Sequence, residues 1–296
     1  MGDKTNMKTV SLVLGSGGAR GLAHIGVIHW LEENDYNIRS IAGSSIGALI
    51  GGIYAAGKLD EYEQWVRAIK KIDIAALLDL SWAKSGLVKG DKIINTLVDL
   101  VGEQLIEDLP IRYTAVATEL KGQKEIWIKS GRLFDAIRAS MSIPLFFTPF
   151  KHKGVDLIDG GVLNPVPVAP TAGDGTDMTI AVNLGGPAVS PEQPSGKSPA
   201  PEPPSSLLHE RISRFINHQR SVTSSTDRDW GAYDIAVQAF EAMQNTIARQ
   251  NLAAYPPAMV IEIARNACRS LEYDRASEMI DLGYRKAKEC LSQAAR

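Results

Sequence analysis

The sequence predicts an α/β fold with a central, mostly parallel sheet flanked by helices. Three observations carry that reading. Short apolar runs that end in glycine, "KTVSLVL" at 8–14 and "MTIAVNLG" at 178–185, have the continuous hydrophobicity of strands covered on both faces. Strand-like and helix-like segments alternate through the first sixty residues, as a parallel sheet with crossover helices requires. Glycine-rich turns follow strand candidates at three places: "GSGGARG" (15–21), "GSSIG" (43–47) and "DGG" (159–161).

Taken in order, residues 8–14 are the first strand. A helix follows over 19–33, with Leu22, Ile25, Ile28 and Leu31 on one face and Glu32, Glu33 and Asn34 closing it. "RSIAGS" (39–44) is the second strand, and 45–56 is a helix of small residues that ends at Gly57. Residues 60–101 read as helical with a break at "SWAKSGLVKG". Strands at 112–120 and 124–130 flank a turn containing Gly122, a helix covers 132–140, and "VDLIDGG" (155–161) is a strand running into two glycines. After the strand at 178–185 comes "GGPAVSPEQPSGKSPAPEPPSS" (185–206), whose Pro, Ser and Gly leave almost nothing to bury. Beyond it lie a helical stretch over 207–252, a strand at 257–264 and a helix at 273–293 that turns Met279, Leu282 and Ala287 inward. Because a buried-type strand returns after the Pro-rich stretch, one domain is expected. Its core covers 8–186, a disordered linker covers 187–206, and the strand and helices of 207–296 complete the same sheet.

With 296 residues and 44% hydrophobic content the chain can bury a sizeable core. A formal net charge of -2 and a pI near 6.2 argue against a nucleic-acid partner. Two cysteines, Cys268 and Cys290, make neither a disulfide scaffold nor a cysteine-rich zinc site. The first residues, "MGDKTNMKTV", lack the apolar core of a secretion signal, and Asn6 stands where a myristoylation signal wants Ser or Thr. The longest apolar stretch, near 46–57, is too short and too glycine-rich to span a bilayer. A cytoplasmic protein is expected, with any lipid contact peripheral to the inner face of the membrane.

"GSSIG" matches the G-x-S-x-G nucleophile elbow, which needs a strand leading into a tight turn and a helix leading out. The surrounding "RSIAGSSIGALIGGIYAAG" supplies that order, with Gly43 and Gly47 relieving crowding around Ser45. Ser44 or Ser45 serving only as a helix cap is the competing reading. "GSGGARG" could form an oxyanion hole from unblocked backbone N–H groups at a helix start. It could also cradle a nucleotide phosphate. Against the second use, Arg20 stands where a dinucleotide fingerprint wants glycine, and no Walker lysine is present.

An elbow serine needs a base, and the α/β-hydrolase order is Ser, acid, His. Only His209 and His218 follow the acidic candidates, both in "LLHERISRFINHQR", a polar helical segment with no strand to place them. His24 and His29 lie in the first predicted helix and His152 between lysines. Asp159 ends an apolar strand before two glycines, so it is expected at the sheet edge that carries the other glycine turns. In a low-dielectric cleft its pKa rises and it can take a serine proton directly. An Asp before Gly-Gly is also ordinary turn chemistry.

"LVLGSGGARGLAHIGVIHWLEE", "GSSIG", "IRASMSIPLFF" and "LIDGGVLNPVPV", in that order, resemble the signature of the patatin-like phospholipases, specifically the small bacterial RssA-like members of the neuropathy-target-esterase (NTE) family. The likeness covers about residues 8–186 and, more loosely, the C-terminal strand and helix. It implies a three-layer patatin-like fold and a Ser–Asp dyad: Ser45 the nucleophile, Asp159 the base, and the backbone at Gly17 and Gly18, with Ala19 and Arg20 beside it, the oxyanion hole. Gly15, Gly43, Gly47, Gly160 and Gly161 are then the motif glycines. The resemblance implies hydrolysis of a lipid or acyl ester through an acyl-enzyme, with no metal and no cofactor. A lipid-sensing regulatory protein that keeps the pocket but turns over poorly is the alternative. Residues 77–88 read either as a lid or as ordinary packing, and the sequence is silent on oligomeric state.

Overall fold

The computed structural model describes residues 7–69, 73, 88–189 and 232–294. The chain divides into two compact units, Met1–Val189 with Ala242–Arg296, and Ser190–Glu241. Of the second unit only 232–241 are described, all helical. In chain order the elements are β1 (Lys8–Leu14), a 3-10 turn (Gly18–Leu22), α1 (Ala23–Glu33), β2 (Tyr36–Ser44), α2 (Ile46–Ala55), α3 (Leu59–Ala68), α4 (Asp91–Val101), β3 (Arg112–Glu119), β4 (Lys124–Ile128), α5 (Leu133–Ser140), β5 (Phe150–His152), β6 (Val155–Asp159), β7 (Met178–Gly186), α6 (Ala232–Ala254), β8 (Met259–Ala264) and α7 (Ala276–Ala294).

β1 lies between β2 and β7, parallel to both. β2 continues to β3 and β7 to β8, again parallel. Antiparallel pairing enters at one end, where β3 meets β4 and β6, and β6 meets β5. This is the predicted mostly parallel sheet flanked by helices. The unbroken hydrophobicity of β1 has its cause here. Val10, Leu12 and Leu14 join the main core with residues of α1, α2, α5 and α7. Val13 faces the other way, onto Val166, Val168, Ala181 and, from α6, Ala248.

On the main-core side, α7 crosses α1 at backbone contact. A Cβ at Gly26 would stand 1.9 Å from the Ile280 carbonyl oxygen, and one at Gly283 1.9 Å from that of Ala23. The C-terminal helix is thereby seated on the first.

The first helix begins at Ala23, later than the sequence suggests, because Gly18 at φ +58 starts a tight 3-10 turn that leaves α geometry. β2 begins earlier, at Tyr36, and the short β5 was not legible in the sequence. The break at 81–90 and the lid reading of 77–88 fall, apart from 88–90, outside the described residues. So do the linker beyond Val189, the start of the 207–252 helical stretch, His209 and His218. Among the described residues no helix is long and apolar enough to cross a membrane.

Candidate active site

Strand register brings the two expected reactive side chains together. β2 runs along β3 as far as Ser44, which pairs with Val116, and β6 comes the other way and stops at Asp159, which pairs with Ala117. β4 occupies the opposite edge of β3 at both levels, with Trp127 against Val116 and Ile126 against Ala117. Since a strand residue has one neighbour on each side, β2 and β6 share an edge of β3 and meet end to end. β6 runs against β3, a direction its short apolar run does not reveal. β5 and β6 form an antiparallel pair, and the turn at Lys153–Gly154 sends β6 back toward the end of β2.

Ser45 is held at φ 55 and ψ -123, at the position before the first residue of α2. Such a backbone costs about 1–3 kcal/mol and persists only where its surroundings enforce it. The Ser45 N–H donates to Ser140 Oγ at 2.9 Å, and the Ser140 hydroxyl donates to the Val116 carbonyl at 2.6 Å. The Ser44 hydroxyl donates to the Asn164 carbonyl at 2.6 Å. Close approach does the rest: a Cβ at Gly43 would stand 2.4 Å from the Gly47 carbonyl oxygen, and one at Gly47 2.0 Å from that of Leu14. The Ser45 side chain makes no capping bond to α2. Its hydroxyl instead interacts with the Asp159 carboxyl, which counts against the cap reading for this residue.

Asp159 is buried, with 1% of its surface exposed. Its N–H donates to the Ser142 carbonyl at 3.0 Å, and its Oδ1 accepts the Gly161 N–H at 2.7 Å. The turn chemistry typical of Asp-Gly-Gly is therefore present, and it engages only one carboxyl oxygen. Among the described residues Oδ2 has no hydrogen bond of ordinary geometry. Burial pushes the carboxyl up from 3.8 to about 7, while the Ser45 hydroxyl and the Gly161 N–H pull it back down. Gly160 lies where a Cβ would be 2.0 Å from the Val116 carbonyl oxygen and 3.0 Å from Ser44 Oγ, so the two turns touch.

The first glycine turn lies across the end of β1. Gly15 and Ser16 give their N–H groups to the carbonyls of Val182 (3.0 Å) and Pro165 (2.8 Å). Among the described residues the N–H groups of Gly17 and Gly18 have no carbonyl partner. Ala19 leaves the expected oxyanion set, because its N–H is committed to the Ser270 carbonyl at 2.9 Å. The side chain of Arg20 holds structure: Nη1 donates to the carbonyls of Arg265 (3.1 Å) and Cys268 (3.2 Å). His24 is buried and its Nε2 bonds the Gly15 carbonyl at 2.8 Å. Burial lowers its pKa from 6.5 to about 4 against that bond, so the neutral ring donates and pins the turn. His29 pairs with Glu63 at 2.5 Å, and His152 lies in β5. Among the described residues no group of three or more His, Cys, Asp or Glu is arranged to hold a metal ion.

Several neighbours escaped the sequence reading. Ser140 and Ser142 support the two turns, and the only signal for them was their place in "IRASMSIPLFF". Gln244, on α6, donates from Nε2 to Ser16 Oγ at 3.3 Å; nothing in the sequence marks it. A cleft of about 340 Å³, lined by Glu125, Trp127, Asn164, Asn251 and Tyr255 among others, contains neither Ser45 nor Asp159.

The fold and site define an α/β protein that presents an elbow serine to a buried carboxyl group. Residues 12–172 match the family model described as patatin-like phospholipase. An uncharacterized NTE family protein of Mycobacterium tuberculosis is 37% identical, across 95% of this chain and 91% of its own length. Lysophospholipase NTE1 of Coccidioides immitis is 30% identical across 97% of this chain, which corresponds to 18% of that longer protein. The chain belongs to the patatin-like phospholipase family and is a relative of the NTE family proteins.

Proposed function

We propose that the protein is a serine hydrolase of lipid carboxylic esters, with Ser45 as nucleophile and Asp159 as base. The observation that carries this reading is the end-to-end meeting of β2 and β6, with Ser44 and Asp159 paired to consecutive residues of β3. The family match and the lysophospholipase relatives support the substrate class.

Asp159 accepts the Ser45 proton as Oγ attacks the ester carbonyl, and the N–H groups of Gly17 and Gly18 stabilise the oxyanion. The alcohol leaves with the proton, and acyl-Ser45 remains. A carboxyl group that titrates near 7 can both accept and return a proton at neutral pH. We further take the enzyme to act in the cytoplasm and to meet lipid at the membrane surface.

The test is release of fatty acid from a panel of lysophospholipids and phospholipids by purified protein, read by mass spectrometry. Wild type should hydrolyse at least one ester lipid, and Ser45→Ala and Asp159→Asn should not. A folded wild-type protein that cleaves none would favour a lipid-sensing role, and turnover by the Ser45→Ala variant would remove the dyad.

A further inference from the structure

Another hydroxyl lies beside the dyad, contributed by the first glycine turn. Ser16 is held by its backbone, through the N–H bond to the Pro165 carbonyl at 2.8 Å. Its surroundings are mapped by the missing side chain of Gly161. A Cβ there would stand 2.4 Å from Gln244 Nε2, 2.5 Å from Ser16 Oγ and 3.0 Å from Asp159 Oδ1. Three polar groups from three separate segments thus converge on one point next to the carboxyl. The hydrogens then decide what Ser16 can do. Its oxygen accepts from the Gln244 amide at 3.3 Å, and a serine hydroxyl has one proton to give. Among the described residues that proton meets no acceptor, and the Asp159 carboxyl takes its hydrogen bond from the Gly161 N–H instead. Ser16 is half-buried, so solvent reaches this side of an otherwise enclosed pair.

We propose that Ser16 is a catalytic residue of the hydrolytic half-reaction, holding the water that releases the acyl group, and that Gln244 is a positioning residue that orients the Ser16 hydroxyl. This rests on the Ser45–Asp159 reading above. The water oxygen accepts the Ser16 proton in a hydrogen bond, and its other lone pair forms the new bond to the carbonyl carbon of acyl-Ser45. One water proton passes to the Asp159 carboxylate. Collapse of the tetrahedral intermediate breaks the bond from carbon to Ser45 Oγ, which takes the proton back from Asp159, and the carboxylic acid leaves. Ser16 exchanges no proton; it fixes the attacking atom beside the base that deprotonates it.

The step predicts a separation of acylation from deacylation. With a p-nitrophenyl ester and the full chain, Ser16→Ala should lower steady-state turnover by about tenfold or more, the scale of a lost positioning contact. Intact-mass analysis during turnover should show a larger fraction of acyl-Ser45 than in wild type. Ser16→Gly should do the same and guards against a folding defect peculiar to one variant. Gln244→Ala should raise the acyl fraction less, and adding it to Ser16→Ala should change nothing further, because the amide works through the hydroxyl. Unchanged turnover, or a fall in turnover with no rise in acyl-enzyme, would overturn the proposal. Failure of the underlying dyad reads differently: acyl adduct would be missing from wild type itself, or would persist in Ser45→Ala.

Discussion

Replacing Asp159 by Asn should disable the site and at the same time stabilise the fold at alkaline pH. Burial holds the Asp159 carboxyl up from 3.8 to about 7, so the native state binds its proton more tightly than the unfolded chain does. For an acid raised in this way the folded state suffers no penalty below 3.8. Stability falls as pH climbs from there through about 7, and the penalty is complete above. The interval, at about 1.4 kcal/mol per pH unit, amounts to about 4 kcal/mol. Asparagine carries no charge and keeps an oxygen for the Gly161 N–H, but its amide fits the Ser45 side less well, a loss of about 1–2 kcal/mol. A net gain of about 2 kcal/mol at pH 8 corresponds to a rise in melting temperature of about 4–8 °C. At pH 4 the charge penalty is nearly absent and only the loss of about 1–2 kcal/mol remains, so the variant should melt slightly below wild type. Thermal melts of wild type and Asp159→Asn at both pH values, followed by circular dichroism, isolate the effect because the other titrating groups are common to both proteins. A variant that melts below wild type at pH 8, or whose advantage is the same at pH 4, would refute the reasoning.

The same ionisation governs rate: kcat/KM for an aryl ester should rise with pH through about 7 and level off above it, because the base must be unprotonated. A flat profile from pH 5 to 8 would show that no base titrating near 7 controls the rate. Ser140→Ala removes the acceptor of the Ser45 N–H and the donor to the Val116 carbonyl. With both groups buried it should cost about 2–4 kcal/mol in denaturant melts and lower kcat more than it raises KM. Gly47→Ala would force a Cβ to 2.0 Å from the Leu14 carbonyl oxygen; it should lower stability by more than about 3 kcal/mol or prevent soluble expression.

The elements of this fold were legible wherever one physical pattern dominated. β1 and β7 announced themselves because burial on both faces removes polar alternation, and α2 because its small residues begin after Ser45 and end before a glycine. The three glycine turns were visible because close backbone contact, such as Gly47 on Leu14, leaves no room for a side chain. What stayed hidden was relational. That β6 runs against β3 depends on the turn at Lys153–Gly154 and on pairing with a distant strand, and a five-residue apolar run carries no direction. The partner of the Ala19 N–H was not legible either, because the Ser270 carbonyl comes from a loop near the C-terminus. Ser16 and Gln244 look like ordinary polar residues until the chain folds. Asp159 was recognisable because it ends an apolar strand before two glycines, as the other glycine turns end theirs, yet the separate roles of its oxygens appear only in the fold: one binds the turn, and the other makes no ordinary hydrogen bond among the described residues.

The central claim is that Ser45 is an activated nucleophile, and covalent labelling by a fluorophosphonate tests it most directly. Intact-mass and peptide analysis of the purified protein should show a single adduct per chain, on the peptide containing Ser45, lost in Ser45→Ala and strongly slowed in Asp159→Asn. Folded protein that takes up no label, or that is labelled on another residue with Ser45 unmodified, would contradict the account.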